Sequence, residues 1–240
     1  MKEITVNGTI VASEDQTMYE WFGIECTSPK MVINGLKEAN GDQVRLLVNS
    51  GGGDLMAGNE IYSALKRYNG EVTAEITAFA GSAATVICCG ADTVKANPGI
   101  QYMIHNVSTV QMGDKRDMET MAEVLNNADI SIANIYRLKT GLSEKEIIKM
   151  MSHGTGNMGT WMDAKRAKEL GFVDEIIGDD GSLVAQPISI YNSLFATVLS
   201  DETKARFREM QLAEREAKTD KHKLEARLAL LKIKGGKNHV

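Results

Sequence analysis

Cysteine is scarce and odd in number: three among 240 residues, two of them the adjacent Cys88 and Cys89. Neighbours in sequence rarely bridge each other, so reduced, buried thiols in a cytoplasmic protein are expected rather than a disulfide framework. The pair sits in an apolar run, unlike the accessible setting that activates a nucleophilic thiol. An excess of positive charge is also missing. Lys and Arg number 27 against 32 Asp and Glu, for a net charge of −5, and no basic cluster stands out from its acidic neighbours. A general nucleic-acid binder is therefore not expected. Long hydrophobic runs are absent. One uncharged stretch, Ile76 to Ala91, has sixteen residues rich in Gly, Ala, Ser and Thr. It is too short and too small in side chain to span a bilayer, and reads as a buried strand followed by a buried helix. The N-terminus, MKEITVNGTIV, reads as a short strand without the apolar region of a signal peptide, so no membrane partner is expected. HExxH, CxxC and Asp/Asn-rich calcium loops do not occur. No metal or cofactor is expected, and any hydrolytic chemistry has to be metal-free.

What is present is ordinary for a globular chain: 43% hydrophobic and 25% charged residues, in a length that suits one α/β domain plus an appendage. Val44 to Asn49 (VRLLVN) is an apolar strand pattern, followed by a glycine turn at Gly51-Gly52-Gly53. A helix is expected over Met56 to Tyr68, where Ile61, Ala64, Leu65 and Tyr68 recur at helical spacing. Val72 to Phe79 reads as a second strand, followed by Gly81 and then a small-residue helix to about Gly90. Thr93 to Ala96 and Gln101 to His105 are short strands around the turn Asn97-Pro98-Gly99. Helical patterns occupy Lys115 to Lys139 and Ser143 to Ser152, the second opening with a capping box of Ser143 and Glu146. Asp163 to Leu170 is a short helix ended by Gly171, and FVDEII a last strand. Alternating strands and helices imply an α/β fold, and near-continuous apolar strands imply a sheet covered on both faces.

Composition changes near residue 179. The expected organisation is a domain over residues 1–178, a linker over 179–200 and a charged, helical tail over 201–240. Phe207, Met210, Ala217, Leu224, Leu228 and Leu231 follow three-four spacing, a weak seam interrupted by Glu214 and Lys221.

Four histidines limit the catalytic choices: His105, His153, His222 and His239. The last two lie in the charged tail and read as solvated; His153 opens the loop HGTGNMG. His105 ends the strand QYMIH, where a side chain is held rigidly and can either reach a cleft or serve the core. Ser82, in FAGSAAT, follows a strand and starts a helix. It could merely cap that helix. It could also expose Oγ, with backbone N–H groups at the positive helix end ready for an oxyanion. Its surroundings match the GxSxG elbow incompletely, because Ala84 takes the last glycine position. The glycine run lacks the Gly-Lys-Ser/Thr of a phosphate loop, but could present N–H groups to a carbonyl oxygen or let a peptide pass close to the main chain.

In combination and order, these segments resemble the proteolytic subunit of the Clp protease family. NSGGGDLMAGNEIYSAL (Asn49 to Leu65) is similar to its NSPGG-x-x-x-AG-x-x-IY signature, FAGSAATVICCGAD (Phe79 to Asp92) to its nucleophile segment, MIHN (Met103 to Asn106) to its histidine segment, and AKELGFVDEI (Ala167 to Ile176) to its closing A-x-E-x-G-x-VD. EWFG (Glu20 to Gly23) and TWMDAK (Thr160 to Lys165) look more like the phage and prophage branch used in head maturation. The resemblance implies a ββα spiral of the kind shared with crotonases, with a projecting helical segment over Lys115 to Ser152 and the charged helix appended. It implies Ser82 as nucleophile, His105 as general base, and Gly53 and Ala83 as oxyanion N–H donors. Gly51 replaces the family's proline, which loosens the expected turn. The family's triad acid lies just before Thr160-Trp161, where this chain has Gly159. The site is then a Ser–His dyad, or Asn157 orients the imidazole; Asp163 reads better as a helix cap. An acid restored at Gly159 would raise activity if that position lay beside His105.

The resemblance also implies a homo-oligomer, a heptameric ring or double ring, acting on protein or peptide substrates. A head-maturation peptidase cutting capsid or scaffold precursors in the host cytoplasm is the first expectation, because the chain starts almost at a strand and carries a charged C-terminal helix. A subunit working with an ATP-driven unfoldase is the alternative, as is a catalytically weak structural relative. A crotonase-like acyl-CoA enzyme would share the fold, but the Ser82/His105 pair argues against it.

Overall fold

The structure is a computed structural model that describes residues 1–178, 199–200 and 202–213. They belong to two units, Met1–Val198 and Leu199–Val240, each taken here by itself. In the second unit residues 202–213 are helical. Most of the expected linker, and the seam residues Ala217, Leu224, Leu228 and Leu231, lie outside the described residues.

The first unit is built on one mostly parallel sheet. Its strands are β1 (Lys2–Ile10), β2 (Cys26–Thr27), β3 (Val44–Gly53), β4 (Val72–Gly81), β5 (Thr93–Ala96), β6 (Gln101–Ile104), β7 (Thr160–Asp163) and β8 (Glu175–Ile176). The main path runs β2-β1-β3-β4-β5-β8. Helices α1 (Gln16–Trp21), α2 (Pro29–Ala39), α3 (Leu55–Lys66), α4 (Ala83–Cys88), α5 (Lys115–Thr140), α6 (Glu144–Met151) and α7 (Ala164–Glu169) complete it. The α/β class expected from the alternation of patterns is what is found. Among the described residues no helix is long and apolar enough to cross a membrane.

Strand β4 forks, and the fork positions the candidate site. Its first half pairs with β5, Thr73 to Ile76 against Thr93 to Ala96. Its second half pairs with β6, Phe79 to Gly81 against Gln101 to Met103. The turn between β5 and β6 is pinned at the branch point, where Asn97 N–H donates to Ile76 O at 3.0 Å and Asn97 Nδ2 to Thr77 O at 3.2 Å. Strand β6 then carries β7 antiparallel on its other side, Met103 opposite Trp161 and Ile104 opposite Thr160.

Along β3 one face of the sheet is buried and the other only partly covered. Val44, Leu46 and Val48 are buried, but the alternate residues of β3 are only half-buried. On that second face Arg45 pairs with Glu3 and Glu75 of the neighbouring strands. The expectation of a sheet covered on both faces is corrected for this part of the molecule. The buried face packs on helices through Val32, Leu36, Ile61 and Leu65. Each such side chain, fully buried, contributes about 1.5–3 kcal/mol.

Local signals explain the helix ends. Ser28 caps α2 with Pro29 in its first turn, and Asn40 closes it in the left-handed conformation. Ser143 and Glu146 form the capping box of α6 read from the sequence. Asp163 accepts from Arg166 N–H at 2.7 Å and caps α7, as its sequence position implied. The projecting segment is shorter than expected. The buried residues of α5, Ile132, Ala133 and Tyr136, all lie in its second half. Helix α6 buries Ile147 and Met151 at four-residue spacing and so belongs to the packed body. Only the first half of α5 stands out.

Candidate active site

Parallel pairing of β4 with β6 brings the ends of the two strands together, so the residues that follow them, Ser82 and His105, become neighbours. The joint is fixed by Ser82 N–H donating to Met103 O at 2.9 Å. Ser82 Oγ lies 2.7 Å from His105 Nε2. Ser82 has φ 51° and ψ −124°, positive φ in a non-glycine residue and of order 1–3 kcal/mol in strain. A capping serine would have extended backbone and would turn Oγ to the N–H groups of the helix. Ser82 stands at the cap position of α4 and makes no such bond. Its hydroxyl is given to the imidazole instead. Below it, Ser82 O accepts from Thr85 N–H and from Thr85 Oγ1 at 2.9 and 2.6 Å, and Thr85 Oγ1 also meets Tyr136 Oη of α5 at 2.6 Å. The elbow is thus held from the interior.

The two expected oxyanion donors come from segments in contact at Ser82. The glycine run is not the turn expected from the sequence; it continues β3, with Gly52 and Gly53 opposite Thr9 and Ile10 of β1. Gly51, which stands where the family has proline, falls at the register shift between the Asn7–Asn49 and Thr9–Gly52 pairs. A Cβ on Gly52 would lie 2.7 Å from Ser82 Cβ and 2.9 Å from Ala83 N, so only glycine lets the strand approach the elbow this closely. Asp54 N–H donates to Ile10 O at 2.8 Å. On the other side of β3, pairing with β4 has ended at Ser50 and Ala80, before Gly53 is reached. Ala83, as the first residue of α4, has an N–H without a partner in its own helix.

Burial pushes the His105 imidazole below its ordinary value of 6.5, opposed in part by Asn157 and by the Asp129 charge. A base must be neutral to accept the Ser82 proton. The acid limb of the rate of Ser82 acylation is therefore expected below pH 6.5, because the ring stays neutral at lower pH than a free histidine. A pH–rate profile checks this, and a limb above 6.5 contradicts it.

The third position is where structure and sequence diverge most. Asn157, in the left-handed conformation at φ 61°, has its side chain near the imidazole and favours its charged form. No well-formed hydrogen bond reaches His105 Nδ1, which is buried without a partner. Asn157 is thus adjacent to the ring without being bonded to it in good geometry. Gly159 does lie beside His105, but with its backbone: φ is +65°, and a Cβ there would stand 2.1 Å from Ile104 O and 2.6 Å from His105 Cβ. The loop is held at this place by Trp161, whose Nε1 donates to Met158 O at 3.0 Å and whose ring stacks on Phe79 at 5.5 Å. The expectation that an acid at Gly159 would help is corrected, since no side chain fits. Asp163 is occupied as a cap.

Among the remaining candidates, His153 is exposed, and His222 and His239 lie outside the described residues. Cys88 and Cys89 are free and buried, and burial pushes both thiols far up, out of reach of thiolate chemistry. Cys26 departs from the expected burial, being only partly covered. The sequence reading missed Asp129 of α5. Its carboxylate accepts from Asn106 Nδ2 at 2.6 Å and from Val107 N–H at 2.7 Å, on the segment just after His105. No local pattern marks it, since the contact joins residues more than twenty positions apart.

Comparison with known proteins bears on the family of the chain. The ATP-dependent Clp protease proteolytic subunit 1 of Streptomyces avermitilis is 31% identical over 136 residues, which cover 56% of this chain and 60% of that protein. The chain thus spans less than two thirds of that relative's length. The subunit 1 of Chlamydia muridarum is 27% identical over 161 residues, covering 65% of this chain and 75% of that one. A solved ClpP1 point mutant from Listeria monocytogenes superposes with a TM-score of 0.59 at 23% identity, covering 75% of this chain and 94% of its own, and so shares the fold. The family model described as Clp protease matches residues 28–180. That match takes in the glycine strand, the Ser82 elbow, His105 and the loop before β7, and the chain belongs to the Clp protease family.

Proposed function

We propose that this chain is a metal-free serine endopeptidase. Ser82 attacks the scissile carbonyl, and His105 takes the Ser82 proton and delivers it to the leaving amine. The Gly53 and Ala83 N–H groups hold the oxyanion, and water then hydrolyses the acyl-enzyme. The observation that carries this reading is the 2.7 Å contact of Ser82 Oγ with His105 Nε2, made by a serine whose own helix start it leaves uncapped. An extended substrate would add as a strand beside Gly51 to Gly53, on the side of β3 where pairing with β4 has ended.

For the biological role, the reading is cleavage of capsid or scaffold precursors in phage head maturation, by a ring of copies of this chain. The EWFG and TWMDAK segments support it, the latter contributing the Trp161 that stacks beside the elbow. A second reading is favoured by the relatives, which carry the name of ATP-dependent Clp proteolytic subunits: a peptidase fed by an unfoldase. The two separate in one assay. The purified chain is incubated without any ATPase with an unfolded protein and with a capsid or scaffold precursor, and products are read by mass spectrometry. Cleavage is expected from a species many times the 26.2 kDa chain by light scattering, and none from Ser82→Ala of the same mass. Cleavage only when an ATP-driven unfoldase is supplied selects the second reading. A chain that cuts nothing under either condition is a structural relative.

A further inference from the structure

The position that supplies the acid in the family is filled here by the backbone of Gly159, and His105 Nδ1 is buried without a partner. Something else must hold the imidazole against Ser82. Three groups bear on it: Ser82 from the end of β4, Asn157 from the loop before β7, and Asp129 from α5. Asp129 is the one charged group of the three. It is also engaged with the chain just after His105, through Asn106 Nδ2 at 2.6 Å and the Val107 N–H at 2.7 Å. Two bonds to consecutive residues, one of them to the main chain, fix the direction in which the chain leaves β6, and hence the position of the His105 Cα–Cβ bond. Charge-assisted bonds of this length are the stronger kind.

We infer that Asp129 is the positioning carboxylate of the Ser82–His105 pair, replacing the missing triad acid from a different element of the fold: it clamps the segment that carries His105 and places a negative charge toward the imidazole. It does not touch substrate and is no third catalytic residue. Its charge opposes the loss of the protonated ring caused by burial, which is the service an acid gives to the imidazolium formed during acylation. The second half of α5 is packed on α4 through Tyr136 and Thr85, so the clamp and the nucleophile elbow are held by one helix.

This inference rests on the serine-peptidase reading, and the experiment separates the two. Acylation of the full-length chain by a fluorophosphonate probe is followed against pH for the wild type, Asp129→Asn and Asn106→Ala. Asp129→Asn keeps an oxygen for the Val107 N–H but loses the charge. It is expected to slow acylation about 10- to 100-fold and to move the acid limb to lower pH, since the ring loses the anion that favours its protonation. Asn106→Ala keeps the charge and loses one arm of the clamp, and is expected to slow acylation with the limb unmoved. An Asp129→Asn chain with wild-type rate and limb overturns the assignment. So does a slowed Asp129→Asn chain with an unmoved limb and a lowered melting temperature, the mark of mere structural support. A wild-type chain that the probe does not acylate overturns the peptidase reading and this assignment with it.

Discussion

Replacing His105 by alanine is expected to slow acylation of Ser82 by about 10⁴-fold or more, with oligomeric mass and melting temperature little changed. In a fully assembled triad, removing the serine or the histidine costs about 2 × 10⁶ in turnover, and removing the acid alone about 3 × 10⁴. A histidine with nothing to orient it therefore retains only the ratio of the two, roughly 10²-fold. The size of the His105→Ala effect thus measures how well the imidazole is held. Here Nδ1 has no bonded partner, which pulls the expectation below that of a complete triad. The Asp129 clamp and the 2.7 Å contact with Ser82 pull it well above that of a free imidazole. A loss of only about 10² would mean that His105 is not oriented, and that neither Asp129 nor Asn157 serves it.

The second large effect is expected at Gly159. Restoring the family's acid there by Gly159→Asp should lower activity by about 10²-fold or more and destabilise the fold by roughly 3 kcal/mol. Aspartate tolerates positive φ better than most residues, so φ +65° is the lesser obstacle. The greater one is the Cβ, which would stand 2.1 Å from Ile104 O and 2.6 Å from His105 Cβ. Backbone cannot rotate away as a side chain can, so either the loop before β7 or the histidine strand must move. Overpacking of this kind costs about 1–3 kcal/mol or more. A displacement of about 1 Å at a reacting group costs about 10²-fold in rate. Acylation rates and thermal melts of the variant check both parts. An active variant with unchanged stability would show that the loop takes another path.

The residues that carry the candidate site were legible because they are local. Ser82 after an apolar run, His105 at the end of QYMIH, and the glycines after VRLLVN each sit at a strand end, and their order along the chain identified the pairing. The caps of Ser143 and Asp163 were legible for the same reason, since a cap is decided within four residues. What failed was what depends on distant pairing. Three glycines read as a turn became a strand, because Thr9 and Ile10 of β1 pair with Gly52 and Gly53 from more than forty residues away. The fork of β4 depends on β5 and β6 taking different halves of one strand, which no periodicity records. Helices α1 and α2 went unread, although Ser28-Pro29 is a helix-start signal of ordinary strength. Asp129 has no partner within its own helix turn, and its role emerges only when α5 lies across the segment after His105.

The most direct test of the Ser82–His105 assignment is covalent labelling. The native full-length chain is treated with a fluorophosphonate probe, digested, and the modified residue located by mass spectrometry, with the heat-denatured chain as control. The contact of Ser82 Oγ with His105 Nε2 predicts one modified residue, Ser82, in the native chain and none in the denatured one. An unlabelled native chain, or a label carried by any other serine while Ser82 stays unmodified, would contradict it.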